Sequence, residues 1–320
     1  MISLNDIAAG IVRRMMADAE LVGVKVSRLS NGATVVDAGV ETPGSLEAGR
    51  LFSHACMGGL GDLQFRALEL EGSALPGVEV SVSHPVLACM AAQYAGWAVN
   101  VPGEGTSRPY FAMGSGPARS LYRGEPLFQT VEYRDPASVA VLTLETRQLP
   151  SAEVAAWIAD KCHVSSGDLF LMAAPTASLV GSVQIAARIV ETGLHKMHEV
   201  GFDINTVLSG FGSCPLAPVA ADDLEAIGRT NDAVLYGGRA WYTVQTDDAA
   251  IESVMELLPS SASRDYGLPF GELFRRYGGD FYQIDPLLFS PAELSLTNAT
   301  SGRTFRAGRV NATMVKEAMA

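Results

Sequence analysis

Basic residues are few in this 320-residue sequence, and only four of the 23 are lysines. With 35 acidic residues the formal net charge is −12, which would repel a nucleic-acid backbone or an anionic membrane surface. The same charge would attract a cationic ligand, although an acidic excess often serves solubility alone. Charged residues make up only 18% of the chain and apolar residues 48%, so we expect a large packed core and no disorder.

Membrane, secretion and disulfide signals are also missing. No stretch approaches the roughly 20 apolar residues needed to span a bilayer, and the N-terminus shows no basic segment followed by an apolar run. Cys56, Cys89, Cys162 and Cys214 lie far apart without CxxC spacing, which argues against a zinc site or a disulfide framework. We therefore expect a cytoplasmic protein with reduced core thiols and no bound metal.

Signatures of several enzyme classes are absent. There is no GxxxxGK[ST] phosphate loop and no Gly-x-Ser-x-Gly nucleophile elbow. His195 and His198 are spaced i,i+3, but a catalytic metal normally needs three protein ligands. A dinucleotide fingerprint must follow a strand, whereas the glycine-rich run 56–62 follows a helical pattern. The chain therefore shows no support for ATP hydrolysis, serine hydrolysis or dinucleotide binding.

Helical and extended segments alternate along the chain. Apolar spacing predicts an amphipathic helix over 3–20 with Ser3 as its N-cap, and Asn31-Gly32 between two alternating runs predicts a hairpin. Nearly continuous apolar runs at 139–144 and 169–174 are typical of strands covered on both faces. This alternation indicates an α/β fold. The other predicted helices are near 45–57, 85–95, 151–163, 177–198, 249–258 and 270–277, and the other predicted strands are 25–29, 33–38, 78–83, 98–101, 233–236, 240–245, 293–297 and 304–309.

Two glycine-rich segments are candidate ligand loops. Gly58, Gly59 and Gly61 would let a flat ligand approach the backbone, although a helix C-cap and turn is the favoured interpretation. The segment 111–119 reads as the end of a loop followed by a helix that starts at Pro117. The N–H groups at such a helix start can hold an anion or a carbonyl oxygen, or the segment is a simple loop-to-helix junction.

Three ionisable residues are candidates for chemistry. Arg188 and Glu191 are three residues apart on a predicted helix, so their side chains share a face and can pair. Most such pairs lie on the surface, but the flanking residues here are unusually apolar, which favours a pocket. Glu145 directly follows a buried strand, where α/β folds gather ligand-binding groups, although a strand-end residue exposed to water is equally compatible.

Taken in order, these segments resemble the methenyltetrahydromethanopterin cyclohydrolase family over nearly the whole chain. The loop Pro102–Tyr110 is longer than expected of archaeal relatives, and Cys214 stands where a small aliphatic residue is expected, which puts only the pocket edge in doubt. The matching stretches are Cys-Met-Gly-Gly-Leu-Gly-Asp at 56–62, Gln-Tyr-Ala-Gly-Trp at 93–97, Met-Gly-Ser-Gly-Pro-Ala-Arg at 113–119, Ala-Val-Leu-Thr-Leu-Glu at 140–145, Ala-Pro-Thr-Ala-Ser-Leu-Val-Gly-Ser-Val-Gln-Ile at 174–185, Arg-Ile-Val-Glu at 188–191, Thr-Asn-Asp-Ala-Val-Leu-Tyr-Gly-Gly-Arg at 230–239, Leu-Pro-Ser-Ser-Ala-Ser at 258–263 and Phe-Arg-Ala-Gly at 305–308.

The resemblance implies two α/β domains within residues 1–320. The larger domain would be interrupted in sequence, the smaller would lie roughly within 60–190, and a pocket would lie between them. It also implies a homotrimer that hydrolyses a methenyl-pterin reversibly to the N5-formyl compound, with the pterin as substrate and no metal or redox cofactor. The scarcity of lysine differs from the pattern of hyperthermophiles and indicates a mesophilic source that oxidises one-carbon compounds.

The substrate's chemistry assigns expected roles to the candidate residues. The methenyl group is an amidinium-like cation and already electrophilic, so the enzyme mainly positions a water and manages protons. By the resemblance, Glu191 would activate that water beside Arg188, while Glu145 would hold the pterin or shuttle a proton. Backbone N–H groups at Gly58, Gly59, Gly61, Gly114, Ser115 and Gly116 would bind the pterin and its tail, and Tyr94 would flank the ring unless it is a core residue.

Two alternatives stay open at this point. The chain would retain the fold without turnover if it were a pterin-binding or carrier protein, although the presence of both Arg188 and Glu191 argues against this. It would equally suit a cyclohydrolase acting on a tetrahydrofolate derivative, since the two pterins share their reactive centre. The sequence does not distinguish a phosphorylated from a shortened pterin tail, nor the physiological direction.

Overall fold

The computed structural model describes residues 2–103, 109–280 and 283–320, so part of the predicted long loop Pro102–Tyr110 lies outside the described residues. The chain divides into two compact units. Unit 1 is the chain through Gly61 together with Leu87–Gln184, and unit 2 is Asp62–Val86 together with Ile185–Ala320. Each unit is therefore built from two separate stretches of sequence. The extent of the smaller domain, about 60–190, and the pocket between domains stay predictions.

The helices of both units are mostly short. Residues 86–93 form a π-helix, Val86–Gln93, where the sequence predicts a helix over 85–95. The α-helices are α1 (Leu4–Ala17), α2 (Ala19–Val22), α3 (Leu46–Cys56), α4 (Arg119–Tyr122), α5 (Ala152–Cys162), α6 (Leu179–Ala186), α7 (Ile189–Glu199), α8 (Asp223–Gly237), α9 (Asp248–Glu252), α10 (Phe270–Arg276) and α11 (Ala312–Met319). The 3-10 helices are Pro126–Gln129, Ser166–Asp168, Ile204–Thr206, Met255–Leu257, Ser260–Ala262 and Pro286–Leu288.

Each unit contains a six-stranded mixed sheet, which confirms the α/β fold. The strand order is β1-β2-β8-β7-β6-β5 in unit 1 and β12-β11-β10-β9-β4-β3 in unit 2. The strands are β1 (Lys25–Arg28), β2 (Thr34–Asp37), β3 (Gly61–Leu70), β4 (Ser73–Val82), β5 (Trp97–Val101), β6 (Tyr110–Ser115), β7 (Ala140–Glu145), β8 (Leu169–Ala174), β9 (Val207–Pro215), β10 (Arg239–Val244), β11 (Glu293–Asn298) and β12 (Thr304–Gly308).

The unit 1 sheet lies between two layers of apolar side chains. β2, β8 and β7 run parallel at its centre, and the predicted hairpin is confirmed by the antiparallel pairing of β1 with β2. Side chains of α1 and α3, such as Val12 and Phe52, pack with Met172 on one face. Ile158 of α5 packs with Leu171 and Leu142 on the other. The two-sided cover explains why β7 and β8 have almost no polar residues.

The unit 2 sheet buries one face and leaves part of the other open. Ala240, Tyr242 and Val244 of β10 are buried, whereas the alternate residues Trp241 and Thr243 are only half-buried. α7 and α8 pack on the buried face, and α8 also packs against α10 and α11 around Tyr236. The alternation along β10 is the period of two that a half-covered strand requires.

Three sequence predictions are wrong in detail. The strand predicted at 233–236 is the last part of α8, and its four apolar residues are all buried, because this helix is covered on two sides and a short apolar run has no period that separates strand from helix. Residues 110–115, predicted as loop, form β6. The helix predicted from Pro117 starts at Arg119 and has four residues.

Two predicted helices are interrupted. The helix predicted over 177–198 is broken by a turn at Ala187 and Arg188, which separates α6 from α7. The helix predicted over 249–258 is α9 followed by a 3-10 turn, Met255–Leu257. In both cases the apolar spacing continues across the break, so periodicity alone does not reveal it.

Candidate active site

Arg188 and Glu191 form an ion pair at the start of α7. The distance from Arg188 Nη1 to Glu191 Oε2 is 3.9 Å, and the two side chains are only 13% and 7% exposed. Arg188 occupies the N-cap position and Glu191 lies in the first helical turn, where the helix dipole favours a negative charge. The pairing expected from their spacing is present, with Glu191 buried and Arg188 largely shielded from solvent.

The first turn of α7 is held close to the unit 2 sheet. Ile189 and Val190 pack against β9 where it carries Gly212 and Gly210, and a Cβ on these glycines would lie 2.7 Å and 2.5 Å from the two side chains. The hydroxyl of Tyr242 donates a hydrogen bond of 2.7 Å to the carbonyl oxygen of Val190. The backbone next to Glu191 is therefore fixed by both packing and a buried hydrogen bond.

Tyr242, Gly210 and Gly212 were not among the residues predicted from the sequence. The signal that would have found the glycines is the Gly-Phe-Gly run inside an extended stretch, because glycine within a strand often marks close approach of another backbone. Tyr242 carries no comparable signal, since alternate apolar residues of a half-covered strand are normally core.

Glu145 lies at the carboxyl end of β7, as predicted, and is half-buried. Its Oε1 accepts a hydrogen bond from Thr176 Oγ1, and its Oε2 accepts one of 3.0 Å from Gln184 Nε2. Thr176 follows β8, the parallel neighbour of β7, so the two strand ends bring these groups together. Thr176 and Gln184 were not predicted as site residues.

The first glycine segment closes α3. Gly58 and Gly59 have φ of +63° and +73°, and their N–H groups donate to the carbonyls of Ala55 and His54. A Cβ on Gly59 would lie 2.3 Å from Ile7 of α1. This geometry supports the favoured interpretation, a helix C-cap packed against α1, and Gly61 begins β3 directly after it. Contact with a ligand stays a prediction for all three glycines.

The second glycine segment and Tyr94 lie together in unit 1. Gly114 and Ser115 end β6, and Gly116, with φ of +103°, donates its N–H to the carbonyl of Ala92, 2.8 Å away. Ser115 is buried, and its carbonyl oxygen accepts a hydrogen bond from Thr143. Tyr94 follows the π-helix and is half-buried, with its N–H donating to the Cys89 carbonyl. The structure thus joins this loop to the segment that carries Tyr94.

Neither a metal cluster nor a membrane-spanning helix is found in the described part of the chain. Among residues 2–103, 109–280 and 283–320, no three His, Cys, Asp or Glu side chains are grouped so that they could hold a metal ion. In the same residues no helix has the length and apolar character needed to cross a bilayer. All four cysteines are buried thiols outside any disulfide, and burial raises the pKa of the Cys162 thiol to about 12.

Comparison with known proteins covers nearly the entire chain. Residues 3–319 match the family described as cyclohydrolase (MCH). The methenyltetrahydromethanopterin cyclohydrolase of Methanocaldococcus jannaschii is 45% identical over 324 residues, covering 100% of this chain and 98% of the relative. Proteins of the same name from Methanothermobacter thermautotrophicus and Methylobacterium sp. (strain 4-46) are 44% and 43% identical, covering 97% and 99% of this chain and 97% and 98% of theirs. The chain therefore belongs to the methenyltetrahydromethanopterin cyclohydrolase family.

Proposed function

We propose that this protein is a methenyltetrahydromethanopterin cyclohydrolase of one-carbon metabolism. It would convert 5,10-methenyltetrahydromethanopterin and water reversibly to 5-formyltetrahydromethanopterin and a proton. The observation that carries the proposal is the buried ion pair of Arg188 and Glu191, in a chain aligned from end to end with relatives that bear this name. A buried carboxylate with a fixed backbone is the group that this reaction requires.

Glu191 would act as the general base. A water attacks the methenyl carbon as Glu191 accepts one of its protons, which gives a hydroxyl on this carbon. The bond from the carbon to N10 then breaks as N10 takes the proton from Glu191 and the hydroxyl releases its own proton to form the formyl C=O. The formyl group remains on N5, and the positive charge of the substrate leaves as the released proton. The negative charge of Glu191 also favours binding of the cationic substrate, as Coulomb attraction is strong where water is excluded.

Arg188 would keep Glu191 ready for this step. A guanidinium 3.9 Å from the carboxylate favours its charged form, which is the form that accepts a proton. The same N–H groups are suited to the oxygen that develops negative charge as the hydroxyl loses its proton and the formyl group forms. Arg188 would therefore contribute both to the base and to stabilisation of the intermediate.

Glu145 and the glycine segments would hold the pterin. Thr176 and Gln184 orient the Glu145 carboxylate by hydrogen bonds, which supports a role in binding a pterin N–H group or in passing a proton. The backbone near Gly58, Gly59, Gly61, Gly114, Ser115 and Gly116 would approach the flat ring and the tail, and the ring of Tyr94 would stack on the pterin. The reaction would need no metal or redox cofactor.

We also propose that the protein is a cytoplasmic homotrimer. The open face of the unit 2 sheet supports contact between copies, because Leu208 and Phe211 are 45% and 39% exposed and the Phe211 ring lies 5.5 Å from that of Trp241. Light scattering after size-exclusion chromatography would give about three times the 33.8 kDa chain mass. A monomer mass at working concentration would contradict the trimer and leave the catalytic proposal intact.

The first experiment is conversion of the methenyl-pterin by the purified wild-type protein, followed as loss of the conjugated chromophore. Glu191→Gln keeps the side-chain shape and removes the base, so we expect kcat to fall by about 10² to 10⁴. Glu199→Gln on the same helix is the matched control, since Glu199 is 40% exposed, and it should keep near-wild-type activity.

Each other outcome has a definite meaning. Binding without turnover by the wild type would identify a pterin-binding protein, and faster conversion of the tetrahydrofolate analogue would change the substrate. Near-full activity of Glu191→Gln would refute its role as base and make Glu145 the next residue to test.

A further inference from the structure

Arg119 is fully buried in unit 1 and makes contacts on all sides of its guanidinium. Its Nε and Nη2 donate to the two carboxylate oxygens of Glu125 at 2.8 Å and 2.5 Å. Its Nη1 donates to the carbonyl oxygens of Met90 and Ala92 at 3.0 Å and 2.8 Å. Burying a charge is costly unless it is paired and hydrogen-bonded in this way. The bidentate geometry with Glu125 requires arginine, because the single ammonium of lysine offers no fork.

Two aromatic rings flank the same guanidinium. The centroid of the Tyr94 ring is 5.2 Å from Arg119 Cζ, and that of Phe128 is 5.5 Å away. Both distances are within the range of a cation–π contact, which is stronger where water is excluded. Tyr94 as a residue is half-buried, so it is not fully enclosed where Arg119 contacts its ring.

Arg119 also forms hydrogen bonds with the backbone just before Tyr94. The last carbonyls of a helix have no partner within the helix, and those of Met90 and Ala92 are at the end of the π-helix Val86–Gln93. The Ala92 carbonyl accepts hydrogen bonds from both Arg119 and the N–H of Gly116. One guanidinium therefore holds the Tyr94 ring, the residues just before it and the turn at Gly116.

The space for this arrangement is provided by Gly96. A Cβ at this position would lie 1.9 Å from Glu125 Oε2, so any larger residue would displace the carboxylate that pairs with Arg119. The side chain of Glu125 is 7% exposed, and no solvent is needed to complete the pair. The ion pair of Arg119 and Glu125 thus packs against the segment that contains Tyr94 and Gly96.

We propose that Arg119 is a positioning residue that sets the orientation of the Tyr94 ring and of the Gly116 turn for binding of the pterin. The inference rests on the proposed function. Arg119 is fully buried, so we expect it to act through Tyr94 rather than on the reacting atoms, and a ring stacked on the pterin would contact substrate and transition state alike. Loss of Arg119 should therefore weaken substrate binding and leave the chemical step unchanged.

The test is a double-mutant cycle between Arg119→Lys and Tyr94→Leu, with KM and kcat measured for the methenyl-pterin. Each single variant should raise KM roughly tenfold, which corresponds to the loss of one desolvated cation–π or stacking contact. The value of kcat should change by less than about twofold. The double variant should raise KM little more than either single variant, because both remove the same restrained ring. Arg50→Lys is the matched control, since Arg50 makes a bidentate pair with Glu47 at the surface of the same unit.

A second variant tests the proposal if Arg119→Lys does not fold. Arg119→Met combined with Glu125→Leu removes both charges and leaves neither buried alone, so the core is retained. It should show the same rise in KM. Unchanged KM in a folded Arg119 variant, or multiplicative effects of Arg119→Lys and Tyr94→Leu, would overturn the inference. Absence of turnover in the wild type would instead refute the proposed function.

Discussion

Asp232 is a buried carboxylic acid that titrates near neutrality. It lies in α8, is 6% exposed, and accepts a hydrogen bond of 2.8 Å from the N–H of Phe270 at the start of α10. Burial raises the pKa of Asp232 from 3.8 to about 7, with the hydrogen bond from Phe270 lowering it and the charge of Glu317 raising it. In the unfolded chain the same carboxyl titrates near its ordinary pKa, so its proton is linked to folding.

The direction of the effect on stability follows from this difference. The folded protein keeps the Asp232 proton to a higher pH than the unfolded chain, so the contribution of Asp232 to stability is greatest below about pH 4 and falls as pH rises to about 7. At about 1.4 kcal/mol for each pKa unit, the shift from 3.8 to about 7 costs about 4 kcal/mol above pH 7. About 3 kcal/mol of this loss falls between pH 5 and pH 8.

Asp232→Asn removes the titration and keeps an acceptor oxygen for Phe270. We expect the free energy of unfolding of the variant, relative to wild type, to rise by about 3 kcal/mol between pH 5 and pH 8. Urea unfolding at both pH values measures it, and other titrating groups cancel in the difference. Asp247→Asn is the control, because Asp247 is exposed and its side chain makes no capping hydrogen bond. A pH-independent difference for Asp232→Asn would refute the reasoning.

Two further substitutions test the supports of the candidate site. Tyr242→Phe removes the hydrogen bond to the Val190 carbonyl and should cost about 1 kcal/mol of stability and lower kcat several-fold, measured by urea unfolding and the chromophore assay; an unchanged kcat would show that the bond does not position the helix start. Gly59→Ala should destabilise by about 2–4 kcal/mol because it adds a clash with Ile7 to left-handed strain. Gly32→Ala adds strain without such crowding, so equal losses would contradict this explanation.

Local signals predicted the parts of the fold that depend on neighbouring residues. Ser3 caps α1 by accepting a hydrogen bond from the N–H of Asp6, and the turn at Asn31 and Gly32 joins β1 to β2. The central strands β7 and β8 were predicted from their lack of polar residues, because a nearly continuous apolar run of six residues is typical of a strand covered on both faces. These features need no knowledge of what the segment packs against.

Features set by packing between distant segments escaped prediction. The apolar end of α8 resembles a strand because it is covered on two sides, and the strand β6 is hidden by the small and polar residues around Gly114. Arg119 and Glu125 are six residues apart and give no sign in the sequence that both are buried. Their burial depends on the π-helix that ends beside them, which is more than 25 residues earlier in the chain.

The start of α7 shows that the pairing of two residues can be predicted correctly even when the helix that carries them is predicted wrongly as continuous. The spacing of Arg188 and Glu191 predicts a shared face whether or not the helix is continuous, so the pairing does not depend on the break. The break itself is what puts Glu191 in a first turn, where the helix dipole favours its charge, and leaves Gln184 at the end of the preceding helix to bind Glu145. A turn of two residues therefore gives Glu191 the environment of a helix N-terminus, which it would not have in the interior of a single helix.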